Sequence, residues 1–331
     1  MPLAAGLLDY LADTESLAIV CHGNPDPDCI ASALALETIA SEAGVADAQI
    51  FYSGGLGHQQ NRAFVNLLDI DMETVSATTL EEYERVALVD HSTPRIASFE
   101  VGPKDVDVVI DRHSSTETVD AAIVDRREEY HATTTILIEY LLELGIEIDS
   151  RLASALLFAL HRTCLDFVRR PSIHEYRAAL AVYPLADLEL IDHLYGAAFT
   201  HTTMDAIGEA IRNRVVRGST LITSVSRASE DGALAQAADY LLALEGIDTV
   251  LVFGNADGGV QLSARSIDSR VDIVDVLERG FGELGDVEGD KNNATGSIEI
   301  GLLSLVEDHD AVFDLVTSQV HRRFFDALQA G

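Results

Sequence analysis

His22-Gly23-Asn24-Pro25-Asp26-Pro27-Asp28-Cys29-Ile30-Ala31-Ser32, entered from the apolar run Leu17-Ala18-Ile19-Val20-Cys21, decides how this chain is read. The apolar run is short and uninterrupted, the pattern of a strand buried on both faces. From Cys29 the apolar positions change period. Cys29, Ala33, Leu36 and Ala40 fall at i, i+4, i+7 and i+11, one face of a helix. Strand, polar loop and helix in that order predict a parallel α/β sheet, whose ligands bind at the carboxyl ends of the strands. The loop carries His22, Asp26 and Asp28. An imidazole and two carboxylates so close together repel and desolvate one another unless a cation neutralises them. The competing reading is a turn built from Asn-Pro-Asp-Pro-Asp, with Asp28 as helix N-cap. It leaves His22 and Asp26 without a role.

At 331 residues and 47% hydrophobic composition, the chain is globular and long enough for two domains. No run approaches the roughly 18 apolar residues of a membrane span, and the N-terminus lacks a basic region. The expectation is a soluble, cytoplasmic protein that does not engage membranes. Cys21, Cys29 and Cys164 are odd in number and without CxxC spacing, which predicts buried free thiols and no zinc site. The chain carries 55 acidic against 22 basic residues, a net charge of −33, and lysine occurs only at Lys104 and Lys291. Such a surface resembles proteins of salt-in halophiles, where molar salt shortens the Debye length to about 3 Å and screens self-repulsion. It argues against a broad duplex-DNA footprint and leaves a nucleotide substrate open.

Two further polar clusters stand at predicted strand ends. Arg85–Val89 runs into Asp90-His91-Ser92, and 107–110 runs into Asp111-Arg112-His113. Asp90 reads either as a ligand or as a cap for the turn at Thr93-Pro94. Residues 1–13 predict a short amphipathic helix and 48–52 a strand. The loop Gly54-Gly55-Leu56-Gly57-His58-Gln59-Gln60-Asn61-Arg62 either lines a cleft or caps the next helix. Thr133-Thr134-Thr135 opens a long apolar helix closing near Gly145, and another begins around Ser150 and leads into His161-Arg162-Thr163-Cys164-Leu165-Asp166. Beyond a connector, strands are expected at 219–225, 249–253, 260–263 and 297–300, and helices at 234–244, 273–281 and 311–328.

His22-Gly-Asn-Pro-Asp26-Pro-Asp28 followed by Ala31-Ser32 resembles the first motif of the DHH phosphoesterase superfamily, which includes RecJ-type exonucleases, oligoribonuclease/pAp phosphatases, cyclic-dinucleotide phosphodiesterases and family II pyrophosphatases. The resemblance implies that His22, Asp26, Asp28 and Asp90 are metal ligands, Asp90 bridging two ions. Asp111-Arg112-His113 matches the motif that names the family. Its first histidine ligates the second metal and its second contacts the scissile phosphate. The resemblance thus gives His113 the phosphate role, whereas Arg112 carries no acceptor for a metal and places a fixed positive charge there. The fourth motif supplies an acidic second-metal ligand. A gapless reading puts Thr163 at its position, with Asp166 one helical turn later. Ser263-Ala264-Arg265-Ser266 resembles the substrate-contacting element of the accessory DHHA1-type domain. Its alternative is an Arg265 salt bridge with Asp268 or Asp272. Glu288-Gly289-Asp290-Lys291-Asn292-Asn293-Ala294-Thr295-Gly296 stands in place of a Gly-Gly-His phosphate loop, where Gly289, Lys291, Asn292 and Gly296 are the residues left to hold substrate.

Together these readings predict an α/β protein. A parallel-sheet DHH domain (1–185), a connector (186–215) and a smaller α/β DHHA1-type domain (216–331) enclose an active-site cleft between them. The implied cofactor is Mn2+, with Mg2+ the alternative, as one or two ions. The implied activity is hydrolysis of phosphoester bonds in short oligonucleotides, dinucleotides or nucleoside bisphosphates, with Arg112 and His113 as catalytic groups. A catalytically weak protein serving as nucleotide sensor or replication and repair scaffold is the alternative, and pyrophosphate or polyphosphate the minor one. A replication or repair partner goes with the scaffold alternative, and a homodimer is left open by the sequence.

Overall fold

The computed structural model describes residues 3–56, 59–93, 95–96, 99–100, 106–113, 119, 121–164, 171–196, 200–226, 232–256, 259–289, 291–301 and 309–329. Gly57, His58, Pro94, Lys104, Leu165, Asp166 and Asp290 lie outside the described residues. The chain divides into two compact units, Met1–Ala198 and Phe199–Gly331.

The first unit runs α1 (Leu3–Leu11), β1 (Ser16–Gly23), α2 (Pro27–Ala43), β2 (Asp47–Ser53), α3 (Gln59–Leu67), β3 (Met72–Thr74), α4 (Ala77–Leu80), β4 (Arg85–Val89), β5 (Arg95–Ile96), β6 (Phe99–Glu100), β7 (Val108–Asp111), β8 (Ile123–Arg126), α5 (Thr133–Leu144), α6 (Ser150–Thr163), α7 (Ile173–Val182) and α8 (Leu188–Gly196). Its six-stranded sheet has the order β3-β2-β1-β4-β7-β8 with every pairing parallel. β1 is central and buried on both faces, as its unbroken apolar run requires. Leu17, Ile19 and Cys21 enter the core shared with α1, α2, α5 and α6, while Ala18 and Val20 enter the core on the opposite face. The strand order reverses between β1 and β4, which opens a crevice at their carboxyl ends. α2 stops at Gly44, whose φ of +95° lets its N–H return to the carbonyls of Ala40 and Ser41.

The second unit runs α9 (His201–Asn213), β9 (Val215–Arg217), β10 (Thr220–Val225), α10 (Ala233–Leu242), β11 (Thr249–Ala256), β12 (Gly259–Ser266), α11 (Ile273–Phe281), β13 (Val287–Gly289), β14 (Asn293–Glu299) and α12 (His309–Gln329). Its sheet has the order β13-β14-β12-β11-β10-β9, parallel only between β10 and β11. One core packs the sheet against α11 and α12, and another packs it against α9 and α10. The 186–215 stretch, expected as a connector, carries α8 and α9. No helix among the described residues is long and apolar enough to cross a membrane.

Candidate active site

β1 and β4 pair with Cys21 opposite Val89, so the next residues, His22 and Asp90, leave the sheet side by side at the strand-order reversal. Asp90 adopts φ +62°, a left-handed conformation that an aspartate tolerates better than most residues. This turn ends β4 and leaves the carboxylate buried at the crevice.

The two oxygens of Asp90 face different company. Oδ2 lies 3.6 Å from His22 Nε2. Oδ1 accepts from Thr133 Oγ1 at 2.6 Å and lies 3.6 Å from Arg112 Nε and 3.7 Å from His113 Nδ1. Burial works to raise the Asp90 pKa, but His22, Arg112 and His113 outweigh it and hold the carboxyl below the usual range. His22 Nδ1 donates to Gly23 O at 2.9 Å, which fixes the ring and turns Nε2 toward Asp90. That is how a metal-ligating histidine is usually held. His91, the neighbour of Asp90 in sequence, instead donates through Nε2 to Val20 O at 3.1 Å. Burial, with His22 adding to it, lowers its pKa to about 4, so His91 is neutral at pH 7.

Asp26, not Asp28, is the N-cap of α2: its Oδ1 accepts from the amides of Asp28 at 2.9 Å and Cys29 at 3.1 Å. Asp28 is fully buried and faces the start of α5. Its Oδ2 accepts from Thr133 N at 3.0 Å, and its Oδ1 from Thr134 N at 2.9 Å. Arg112 Nε closes the arrangement at 3.3 Å from Oδ2. The carboxyl group is therefore seated on the free amides of a helix N-terminus. Burial raises its pKa to about 7 and Asp90 adds to this, while Arg112 and the α5 terminus pull the other way. The structure thus brings Asp28 to the site, with both oxygens already engaged.

His113 Nδ1 donates to Asp111 Oδ1 at 2.9 Å, and its amide donates to the same oxygen at 3.0 Å. The pair leaves Nε2 free on a side chain that is 40% exposed. Burial alone would lower the His113 pKa; Asp111 and Asp90 raise it instead. Asp111 Oδ2 and Ser92 Oγ are buried without a hydrogen-bond partner.

These donors fit a divalent cation on the Oδ2 side of Asp90. His22, Cys29 and Asp90 each offer a ligand atom, all within 4.8 Å of one another. Asp90, Asp111 and His113 form a second such group, whose histidine is already committed to Asp111. Asp26 belongs to neither group. On the Oδ1 side, where the resemblance implies a second ion, lies the Arg112 guanidinium. Thr163 ends α6 with its side chain half-buried, and Asp166 lies outside the described residues.

In the second unit Ser263 and Arg265 share a face of β12, being two residues apart. Arg265 is largely buried. Its Nε donates to Asp239 of α10 at 2.7 Å, and its Nη1 to Ser263 Oγ at 3.2 Å. Its ion-pair partner is therefore neither Asp268, which pairs with Arg270 at 2.6 Å, nor Asp272, which caps α11. Lys291 and Asn292 are exposed between β13 and β14 and are tied there by their carbonyls, to Ile273 N at 3.0 Å and Ser266 N at 2.8 Å. Gly296 sits within β14. Gly289 has φ +146°, and a Cβ there would stand 2.2 Å from Asn293 O, so the hairpin needs a glycine.

Three residues of the site were not assigned a role from sequence: Thr133, Asp111 and Cys29. The run Thr133-Thr134-Thr135 carried the signal of a helix start, but which carboxylate that start would bind depends on the tertiary fold. Asn61, read as part of a cleft or cap, donates from Nδ2 to Pro25 O at 2.9 Å and so braces the opening loop.

Residues 16–160 match the DHH family, N-terminal domain. The chain is 34% identical over 313 residues to an uncharacterized protein of Methanocaldococcus jannaschii, covering 94% of this chain and 64% of that protein. It is 30% identical over 173 residues to a probable manganese-dependent inorganic pyrophosphatase of Listeria monocytogenes, covering 51% of this chain and 55% of that one. It therefore spans less than two thirds of the length of either relative. Among solved structures, an exopolyphosphatase-related protein from Bacteroides fragilis has the same fold. It superposes with a TM-score of 0.76 at 14% identity, covering 98% of this chain and 97% of the other.

Proposed function

We propose that this chain, which carries a DHH-family domain over residues 16–160, is a metal-dependent phosphoesterase working with one divalent cation and one built-in guanidinium. The observation that carries this reading is the division of Asp90. One oxygen faces His22 across a space suited to an ion, and the other faces Arg112 and Thr133. In a two-ion relative both sides would hold metal. Here the arginine supplies permanent positive charge on the second side.

A divalent cation bound at His22 and Asp90, Mn2+ by analogy with the relatives, supplies a water of lowered pKa and neutralises phosphate charge. The protein's own groups do the rest. Arg112 keeps Asp90 and Asp28 from repelling an incoming phosphate. His113, steadied by Asp111, presents Nε2 to a phosphate oxygen and keeps a proton available for the leaving group. The substrate class is a small phosphoester, such as a 5′-phosphorylated dinucleotide or a nucleoside bisphosphate. A second reading, hydrolysis of a phosphoanhydride, has support from the names of the pyrophosphatase and exopolyphosphatase-related relatives. A third, a sensor or scaffold that binds nucleotide without turnover, draws on Arg112 and Thr163 at positions where the family supplies metal ligands.

The test is hydrolysis of a 5′-phosphorylated dinucleotide, a nucleoside bisphosphate and pyrophosphate in molar KCl with Mn2+, with Asp90→Asn as control. Turnover of either nucleotide that needs Mn2+ and Asp90 is the expected result. Turnover of pyrophosphate alone would move the reading to phosphoanhydrides. No turnover of any of them by the folded protein would leave the sensor reading.

A further inference from the structure

We propose that Cys29 is a ligand of the ion held at His22 and Asp90, giving that centre imidazole, thiolate and carboxylate donors and a preference for thiophilic cations, Co2+, Zn2+ or Fe2+, over Mg2+. The inference rests on the single-ion reading of the site and deepens it by naming the cation class.

The geometry is direct. Cys29 Sγ, a nitrogen of His22 and an oxygen of Asp90 all lie within 4.8 Å of one another. Around a cation with bonds of about 2.0–2.3 Å, ligand atoms stand about 3–4 Å apart, so small side-chain rotations close the set. Cys29 is the third residue of α2 and fully buried, and burial, with Cys21 adding to it, pushes its thiol up, so the sulfur is a thiol until a cation displaces its proton. Its amide is bonded to Asp26 Oδ1, which holds its backbone in place. Its thiol donates to Val89 O at 3.3 Å, a weak bond that coordination replaces. As the sulfur–metal bond forms, that bond is lost and the thiol proton leaves to solvent. Asp26, which the resemblance offers as third ligand, spends Oδ1 on capping α2 and is not part of the tight group. The other thiols are placed differently: Cys21 Sγ faces the carbonyl of Cys29 at 3.9 Å, and Cys164 caps the end of α6.

The experiment is a Co2+ titration of the full chain followed by absorption. Visible ligand-field bands report the bound ion, and a near-ultraviolet sulfur-to-cobalt charge-transfer band reports a thiolate ligand. The expected result is both in the wild type. Cys29→Ser should lose the charge-transfer band, keep the ligand-field bands and bind Co2+ at least tenfold more weakly. Cys21→Ser and Cys164→Ser should retain both. Ligand-field bands without a charge-transfer band in the wild type would overturn the role of Cys29 while leaving the ion site standing. A band that survives Cys29→Ser would do the same. Absence of any Co2+ signal, with no Mn2+ binding by calorimetry, would overturn the ion site itself and the proposal with it.

Discussion

At the residue scale, the consequential feature is a hydroxyl on a carboxylate. Thr133 Oγ1 occupies Asp90 Oδ1 at 2.6 Å, and the Thr133 amide occupies Asp28 Oδ2 at 3.0 Å. One residue thereby bonds both buried acids. Thr133→Val keeps the shape and the amide but removes the hydroxyl donor, leaving Asp90 short of a charge-assisted bond worth about 1.5–3 kcal/mol. The expected outcome is a loss of stability of that order in denaturant titration and weaker Mn2+ binding by calorimetry, both restored by Thr133→Ser. A valine variant as stable as the wild type would show the bond to be incidental. Asp28 calls for a different test, because its position suits two roles. If it serves as the anion of the α5 terminus, Asp28→Asn lowers the thermal midpoint by several degrees and changes Mn2+ affinity only a few-fold. A loss of Mn2+ binding comparable to that of Asp90→Asn would instead make Asp28 a ligand.

At the scale of the element, the site depends on where α5 begins. The segment before it is fixed from both sides. Arg127 holds Asp125 at 2.7 Å and Glu139 at 2.6 Å, and Tyr140 donates to Asp125 at 2.6 Å. Glu175, fully buried at the start of α7, accepts from Ser172 N at 2.6 Å, His131 N at 3.0 Å and Thr135 Oγ1 at 3.3 Å. Burial opposes the charge of Glu175, but the bonds from Ser172 and His131 outweigh it and lower its pKa. A carboxylate with a lowered folded pKa contributes stability that is present above its unfolded value, about 4.3. That contribution is lost as pH falls through the folded one. Glu175→Gln is therefore expected to cost about 1–3 kcal/mol at pH 7. The difference from the wild type should shrink as the pH falls below about 4. Parallel denaturation curves at both pH values, with an unchanged difference, would remove Glu175 from the acid response. This network also explains what the sequence could and could not reveal. The 17–32 stretch announced strand, loop and helix because burial on both faces and a change of period are local signals. The strand ends at Asp90 and Asp111 were legible for the same reason. The two-residue strands β5 and β6 are too short to carry a period. The helices α8 and α9 do have apolar faces (Ile191 and Leu194; Ala206, Ile207 and Ala210), and it is Pro184 and the mixed polarity around them that give the stretch the look of a linker. The partner of Asp28 lay over a hundred residues away, and no local pattern encodes that pairing. Nor does one encode Arg265 choosing Asp239 over its nearer neighbours Asp268 and Asp272.

At the scale of the whole molecule, the net charge of −33 sets the conditions under which any of these tests works. Like charges spread over a compact surface repel, and unfolding relieves the repulsion by separating them. The Debye length is about 10 Å at 0.1 M salt and about 3 Å at 1 M, so only in strong salt are neighbouring surface carboxylates hidden from one another. Favourable ion pairs respond differently. Arg112 with Asp28 is largely buried and little screened, whereas Arg270 with Asp268 is exposed and contributes little at any ionic strength. Salt therefore removes mainly repulsion. The thermal midpoint is expected to rise by several degrees between 0.1 and 2 M KCl, followed by circular dichroism, and NaCl at equal concentration should act alike. A rise with K+ alone would point to bound potassium in place of screening. A midpoint that stays level or falls would mean that the acidic surface is tolerated without salt, and would remove the ground for assaying this protein in molar KCl.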